Sequence, residues 1–158
     1  MEPLDYRNQI CADVDKAVLV PFRTVDPIDG WLPIVAKCHD NVDQWVKLHP
    51  GSRAVRGWLA YVNYGVSIGY TAHSVVQGSD GSLFDLTPTL GPNAWRGPFI
   101  AHRGSDALFC EMVKKLGQEI RCSGNCPAPE LTFEDLLAAT SSIAADDTEA
   151  TSPAGKIS

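Results

Sequence analysis

From Trp31 onward the apolar positions Leu32, Val35, Ala36, Val42, Trp45, Val46 and Leu48 recur at three- and four-residue spacing. That period predicts an amphipathic helix, stopped by His49-Pro50-Gly51. Pro33 is tolerated only in or before a first turn. The helix therefore starts between Pro33 and His39, and Cys38 falls in its first turn or two. The pattern then changes to that of strands. Ala54 to Asn63 and Val66 to Val76, joined around Asn63-Tyr64-Gly65, are rich in β-branched and aromatic residues, and Leu83 to Thr87 follows after Gly78-Ser-Asp-Gly81. These runs predict an antiparallel meander. A loop Ser79-Asp80-Gly81, with Gly81 supplying the left-handed backbone, closes the second hairpin. This closure pairs Gly78 with Ser82, so His73 faces Thr87 and Asp85 faces Val75. His73 and Asp85 then become diagonal neighbours on one face, roughly 7–8 Å apart at the backbone. A loop of even length would put them on opposite faces.

The flanks are plainer. Residues 1–30 read as irregular or weakly strand-forming, with Ala17 to Phe22 a short apolar run ended by Pro21 and Asp26 to Gly30 a turn cluster. The Gly- and Pro-rich segment from Thr89 to Pro98 should wrap the surface and shape a pocket. Phe99 to Arg103 suits a short strand. Ser105 caps a helix from Asp106 to about Glu119, with Leu108, Phe109, Met112, Val113 and Leu116 on its apolar side. Thr132 and Asp135 have capping-box spacing at the start of another short helix. From about Thr140 to Ser158 the chain is Ala, Ser, Thr and Asp without aromatics, the composition of a disordered tail. The expected organisation is one domain over residues 1–139 and a tail over 140–158. The fold class is α+β: a helix packed on an antiparallel sheet, with further helices toward the C-terminus. At 158 residues and 44% hydrophobic, the chain can bury a core.

Charge narrows the partners. The formal net charge of −6 argues against nucleic acid or an anionic membrane, since both reward clustered Lys and Arg. No apolar stretch approaches about 18 residues, so no membrane-spanning helix is expected. Met1 to Arg7 lacks the basic-then-apolar layout of a secretory signal, which makes a cytoplasmic location the default. Cys11, Cys38, Cys110, Cys122 and Cys126 are odd in number, and a disulfide framework is not expected; Cys11 reads as a packing thiol. Cys122 and Cys126, with His102 or Cys110 as the nearest additions, fall short of the paired ligand sets of a structural zinc site. They read as free thiols or as a disulfide formed on oxidation. No metal and no cofactor is predicted.

The remaining chemistry gathers around Cys38, His73 and Asp85. His73 follows Cys38 by 35 positions and Asp85 follows His73 by 12. A thiol at a helix start is stabilised as thiolate by the helix dipole. A histidine can take its proton, and a carboxylate fixes that histidine's tautomer. The Cys38 backbone N–H is a natural oxyanion donor. Asn41 is either a second donor or a brace for the helix. Trp58, beside the hairpin, either packs or contacts substrate, and His102 could line the pocket. His39 points about 100° around the helix from Cys38 and is poorly placed as the base. It and His49 read as solvated helix histidines. The competing account leaves Cys38 as a core thiol, with His73 and Asp85 satisfying each other in a binding or interaction domain without catalysis.

The order of Cys on a helix, His on a strand and Asp-Leu-Thr-Pro on the next strand resembles the core of the papain-like thiol enzymes. It is most similar to the transglutaminase-like and arylamine-acetyltransferase branches. The blocks Cys-His-Asp-Asn-Val, Arg-Gly-Trp, His-Ser-Val-Val and Leu-Phe-Asp-Leu-Thr-Pro also resemble those of an uncharacterised bacterial and phage family. The similarity covers about residues 31–90. It implies a papain-like core with Cys38 as nucleophile, His73 as base and Asp85 as orienter. The implied activity is hydrolysis or acyl transfer at an amide or ester, for instance of a peptide or protein side chain, through an acyl-enzyme. Transglutaminases carry an aromatic residue after the Cys and a Trp near the His. Here those places hold His39 and Ser74, so transglutaminase activity itself is not implied.

Overall fold

A computed structural model describes residues 1–90 and 96–123. Helix α1 (Pro3–Ala12) and a short 3₁₀ turn (Val14–Lys16) precede α2 (Cys38–Leu48), the long strands β1 (Arg53–Asn63) and β2 (Ser67–Gln77), and β3 (Leu83–Phe84). Then come β4 (Phe99–Ala101), α3 (Asp106–Leu116) and β5 (Glu119–Ser123). The described fold is α+β, an open antiparallel sheet with helices against it.

Strand β2 organises the sheet. Its one edge is taken by β1, which in turn carries β4. Its other edge is shared: β5 covers Ser67 to Thr71 and β3 covers only Val76 and Gln77. Between them the edge is open except where Ala72 N–H donates to Gln118 O at 2.8 Å. The first turn of α2 comes down at this opening, with Cys38 Sγ 4.0 Å from the Ala72 carbonyl oxygen.

Side-chain alternation divides the core. Trp58, Ala60, Ile68, Tyr70 and Ala72 face Tyr6 and Ile10 of α1 and Phe109 and Met112 of α3. On the same face Val76 and Phe84 receive Val42 and Trp45 of α2. The opposite face carries Val75 and Phe99 with Val20. His73 lies on that face too, one strand step from Val75. Gly57 stands opposite His73, and any Cβ there would meet Ile100 O at 2.2 Å, so only glycine lets β4 approach β1.

The hairpin takes the predicted register. Val76 pairs with Phe84 and Gln77 with Leu83, Gly78 N–H donates to Ser82 O at 2.9 Å, and Gly81 has φ +84°. The third strand is shorter than predicted. After Phe84 the chain leaves β2, and Asp85 exchanges backbone hydrogen bonds with Pro21 O (2.9 Å) and Arg23 N (2.8 Å). Residues 17–22 accordingly form isolated bridges, Val18 with Phe99 and Phe22 with Asp85, and not a strand. Pro21 has no N–H to give a ladder.

Three expectations are corrected. Residues 3–12 are helical, entered by Pro3 in the first turn, and they bury only Tyr6 and Ile10, four residues apart. So narrow a stripe gives little periodicity. The C-terminal helix ends at Leu116, and Gly117 at φ +90° turns the chain into β5, where Ile120 and Cys122 alternate inward. Cys11 is no free thiol, for it forms a disulfide with Cys122, tying α1 to β5 across a sequence separation of 111. This pairing also removes Cys122 from any metal site with Cys126. Cys126, the helix predicted from Thr132 and the predicted tail from Thr140 lie outside the described residues. No described helix is long and apolar enough to cross a membrane.

Closing so long a loop removes much of the unfolded chain's freedom, worth on the order of 4–5 kcal/mol in the chain-entropy account. The paired replacement Cys11→Ser/Cys122→Ser is therefore expected to lower the urea unfolding free energy by a few kcal/mol. An unchanged unfolding curve would mean that the two cysteines are not joined.

Candidate active site

Cys38 occupies the first position of α2, where the backbone N–H has no acceptor within the helix. The turn before it is held in place by Asn41, whose side chain is buried. Ile34 N–H donates to Asn41 Oδ1 (2.9 Å), and Asn41 Nδ2 donates to Ile34 O (2.7 Å) and to Thr87 Oγ1 (3.2 Å). Both amide hydrogens are thus engaged. Asn41 is a brace joining the approach to α2 and the segment after Asp85, and it is not poised as an oxyanion donor. Ala36, two residues before Cys38, has φ +60°. This left-handed backbone is rare for a residue with a Cβ and marks the sharp entry into the helix.

His73 Nε2 lies 2.8 Å from Asp85 Oδ2, both residues being buried. Asp85 is held from every side. Arg96 Nη1 donates to the same Oδ2 at 2.6 Å, Thr87 N–H donates to Oδ1 at 2.8 Å, and Arg96 Nη2 donates to Thr87 O at 2.8 Å. With Nε2 committed to the carboxylate, Nδ1 is the imidazole nitrogen left for the thiol.

Burial by itself would push the Cys38 thiol up. Hydrogen bonding from His39 and His73, with the charge of His73, outweighs it and brings the thiol down to about 6. Burial likewise works against the His73 imidazolium, but Asp85 and the Cys38 sulfur raise it to about 9. Between those values the pair exists as thiolate and imidazolium, titrating as a unit.

The thiol opens on a cleft of about 660 Å³. Its walls include Val35, Leu59, Thr71, Pro88 and Leu90, together with Cys38, His39, His73 and Arg96. Trp58 and His102 are not among the residues lining it, and for Trp58 the surroundings are those of a packing residue. Alternation turns Trp58 to the helix-covered face, where it is fully buried and its Nε1–H donates to Tyr6 Oη at 3.1 Å. Tyr6 Oη lies 2.9 Å from His102 Nδ1, and His102 Nε2 lies 3.1 Å from Ser105 O. The run Trp58–Tyr6–His102–Ser105 satisfies buried polar groups on the far side of the sheet. His49 packs its ring 3.6 Å from that of Trp45.

Two side chains at the site were not singled out by sequence reasoning. Arg96 lies in a segment with no periodic signal. His39, which its own helix pattern presents as solvated, is half-buried against Ser74 and the Phe109 ring. Among the described residues no group of His, Cys, Asp and Glu is arranged to hold a metal ion. Comparisons with protein-family models, with curated proteins and with solved structures find no match to the chain.

Proposed function

We propose that the chain is a thiol-dependent hydrolase or acyl transferase on a papain-like core, attacking an amide or ester carbonyl with Cys38. The observation that carries this reading is the buried 2.8 Å contact of His73 with Asp85 in the wall of the cleft that Cys38 also lines. A thiol brought down to about 6 beside an imidazole raised to about 9 favours a nucleophile over a packing cysteine.

In this mechanism the Cys38 thiolate forms a bond to the carbonyl carbon while the carbonyl π pair moves to oxygen. The Cys38 backbone N–H, at the start of α2, donates to that oxyanion. As the carbonyl re-forms, the bond to the leaving nitrogen or oxygen breaks, and the leaving group takes the proton from His73. The thioester that remains is attacked by water or an amine, from which His73 removes a proton, and the thiolate departs. Asp85 keeps the imidazole oriented throughout, with Arg96 and the Thr87 N–H holding the carboxylate. The apolar walls at Val35, Leu59 and Leu90 suit an aliphatic part of a peptide or acyl substrate.

The test is labelling with iodoacetamide and mass mapping of the adduct, together with nitrophenolate release from p-nitrophenyl acetate. Formation of the Cys38 adduct should show a pH inflection near 6, and Cys38→Ala should abolish the release. A Cys38 inflection that stays above 8, with release unchanged by Cys38→Ala, would instead support a binding domain without catalysis.

A further inference from the structure

His73 and Ser74 are consecutive on β2, so their side chains leave opposite faces of the sheet. Cys38 and His39 are consecutive at the start of α2, about 100° apart around the helix. Because α2 begins at the opening in the β2 edge, the two consecutive pairs meet. His73 comes to the thiol from the cleft face and His39 from the helix face. His39 Nδ1 is 2.5 Å from Ser74 Oγ. Ser74 Oγ in turn accepts from Arg56 Nη1 at 2.8 Å. Arg56 is itself fixed by Asp43 of α2 (2.5 Å) and Asp106 of α3 (3.3 Å).

This chain of contacts has a chemical direction. A guanidinium only donates, so it occupies one lone pair on Ser74 Oγ and leaves the hydroxyl proton free for His39 Nδ1. An imidazole that accepts at Nδ1 carries its proton on Nε2. His39 lines the same cleft as Cys38 and His73. Asn41, the side-chain oxyanion donor considered from the sequence, has both amide hydrogens engaged.

We infer that His39 is a second catalytic histidine, held in its Nε2–H form by Ser74 and Arg56, donating first to the Cys38 thiolate and then to the substrate oxyanion. The inference rests on the proposed thiol chemistry. As the sulfur–carbon bond forms, the negative charge moves from Sγ to the carbonyl oxygen, and a donor beside the sulfur can follow it without rotating away. His39 adds a side-chain donor to the Cys38 backbone N–H, two donors being the usual complement of an oxyanion hole. His73 remains the proton carrier. Among the influences that lower the Cys38 thiol, hydrogen bonding from His39 stands ahead of that from His73.

Iodoacetamide and p-nitrophenyl acetate separate the two roles, because alkylation at a saturated carbon creates no oxyanion. His39→Ala should raise the pH inflection of Cys38 alkylation. At a pH above both inflections it should slow acylation by p-nitrophenyl acetate by about 10–100-fold more than it slows alkylation. His39→Gln, which keeps a donor and guards against misfolding, should recover part of the acylation rate. Ser74→Ala should reproduce a smaller share of the same loss. If His39→Ala and His39→Gln both leave inflection and acylation unchanged while Cys38→Ala abolishes acylation, the inference fails and the thiol chemistry stands. If acylation and alkylation fall by the same factor, the oxyanion role is overturned. If Cys38→Ala leaves acylation intact, the underlying reading fails first.

Discussion

Alkylation of Cys38 by iodoacetamide is expected to follow a titration near pH 6, and His73→Ala is expected to move that inflection up by about one to two units. The midpoint discriminates better than the speed. At pH 6.5 a thiol of pKa about 6 is roughly three-quarters thiolate, whereas an ordinary one near 8.5 is about 1% thiolate. The lower basicity that gives this advantage also weakens each thiolate as a nucleophile, by about tenfold for a shift of this size. The net gain is therefore only several-fold, small enough for differences in exposure to obscure. The inflection has no such ambiguity. Acyl transfer should lose far more, about 10²–10⁴-fold in His73→Ala, because the proton carrier goes with the imidazole. With an amide substrate, whose leaving nitrogen must take a proton from His73, the acylation rate of the unaltered protein should be bell-shaped in pH. It should rise through about 6 as the thiolate forms and fall above about 9 as the imidazolium loses its proton. An inflection that stays above 8 in the unaltered protein would mean that no thiolate–imidazolium pair forms.

Replacing Asp85 should be as damaging, for two separable reasons. Its carboxylate, buried to 3% side-chain exposure, is shared between His73 and Arg96. In Asp85→Ala two positive groups face each other with nothing between them, and breaking a buried pair in this way costs about 3–5 kcal/mol. Arg96 is 20% exposed and can turn partly to solvent, which places the cost toward the lower end. Asp85→Asn keeps the shape and loses the charge. It should still lower acylation by about 10²–10⁴-fold, because the imidazole loses both its orientation and the carboxylate that sustains its cation. Adding Arg96→Gln to Asp85→Asn should recover part of the stability, measured by urea unfolding, and none of the acylation. Joint recovery of both would assign Asp85 a structural role alone.

The parts of this arrangement that sequence could reach are those fixed over short distances. The loop Ser79-Asp80-Gly81 sets the pairing of Val76 with Phe84 and of Gln77 with Leu83, whereas Asp85 itself has left β2 and is held at His73 by Pro21, Arg23 and Arg96. Pro33 and the apolar spacing confine the start of α2 enough to put Cys38 in its first turn or two. The parts that were not legible depend on what arrives from elsewhere. Residues 3–12 bury only Tyr6 and Ile10, and the helix they form is made by packing against β1 and α3 more than by its own pattern. The partner of Cys11 is set by where β5 runs, which no spacing of cysteines encodes. His39 looks solvated from its own helix. It acquires partners only because Ser74 and Arg56 come up beneath it from neighbouring strands. Arg96 sits in a segment whose Gly and Pro content says only that it is irregular.

The link between Cys11 and Cys122 makes a covalent ring of everything between them, and the ring contains Cys38, His39, His73, Asp85 and Arg96. The exposed hairpin tip at residues 79–82 lies on that ring. One protease cut there would divide the site, leaving Cys38 and both histidines on one piece and the carboxylate with its arginine on the other. The pieces would still travel as a single molecule. Only a reductant would part them, so a nicked protein stays whole by mass until its cystine is opened.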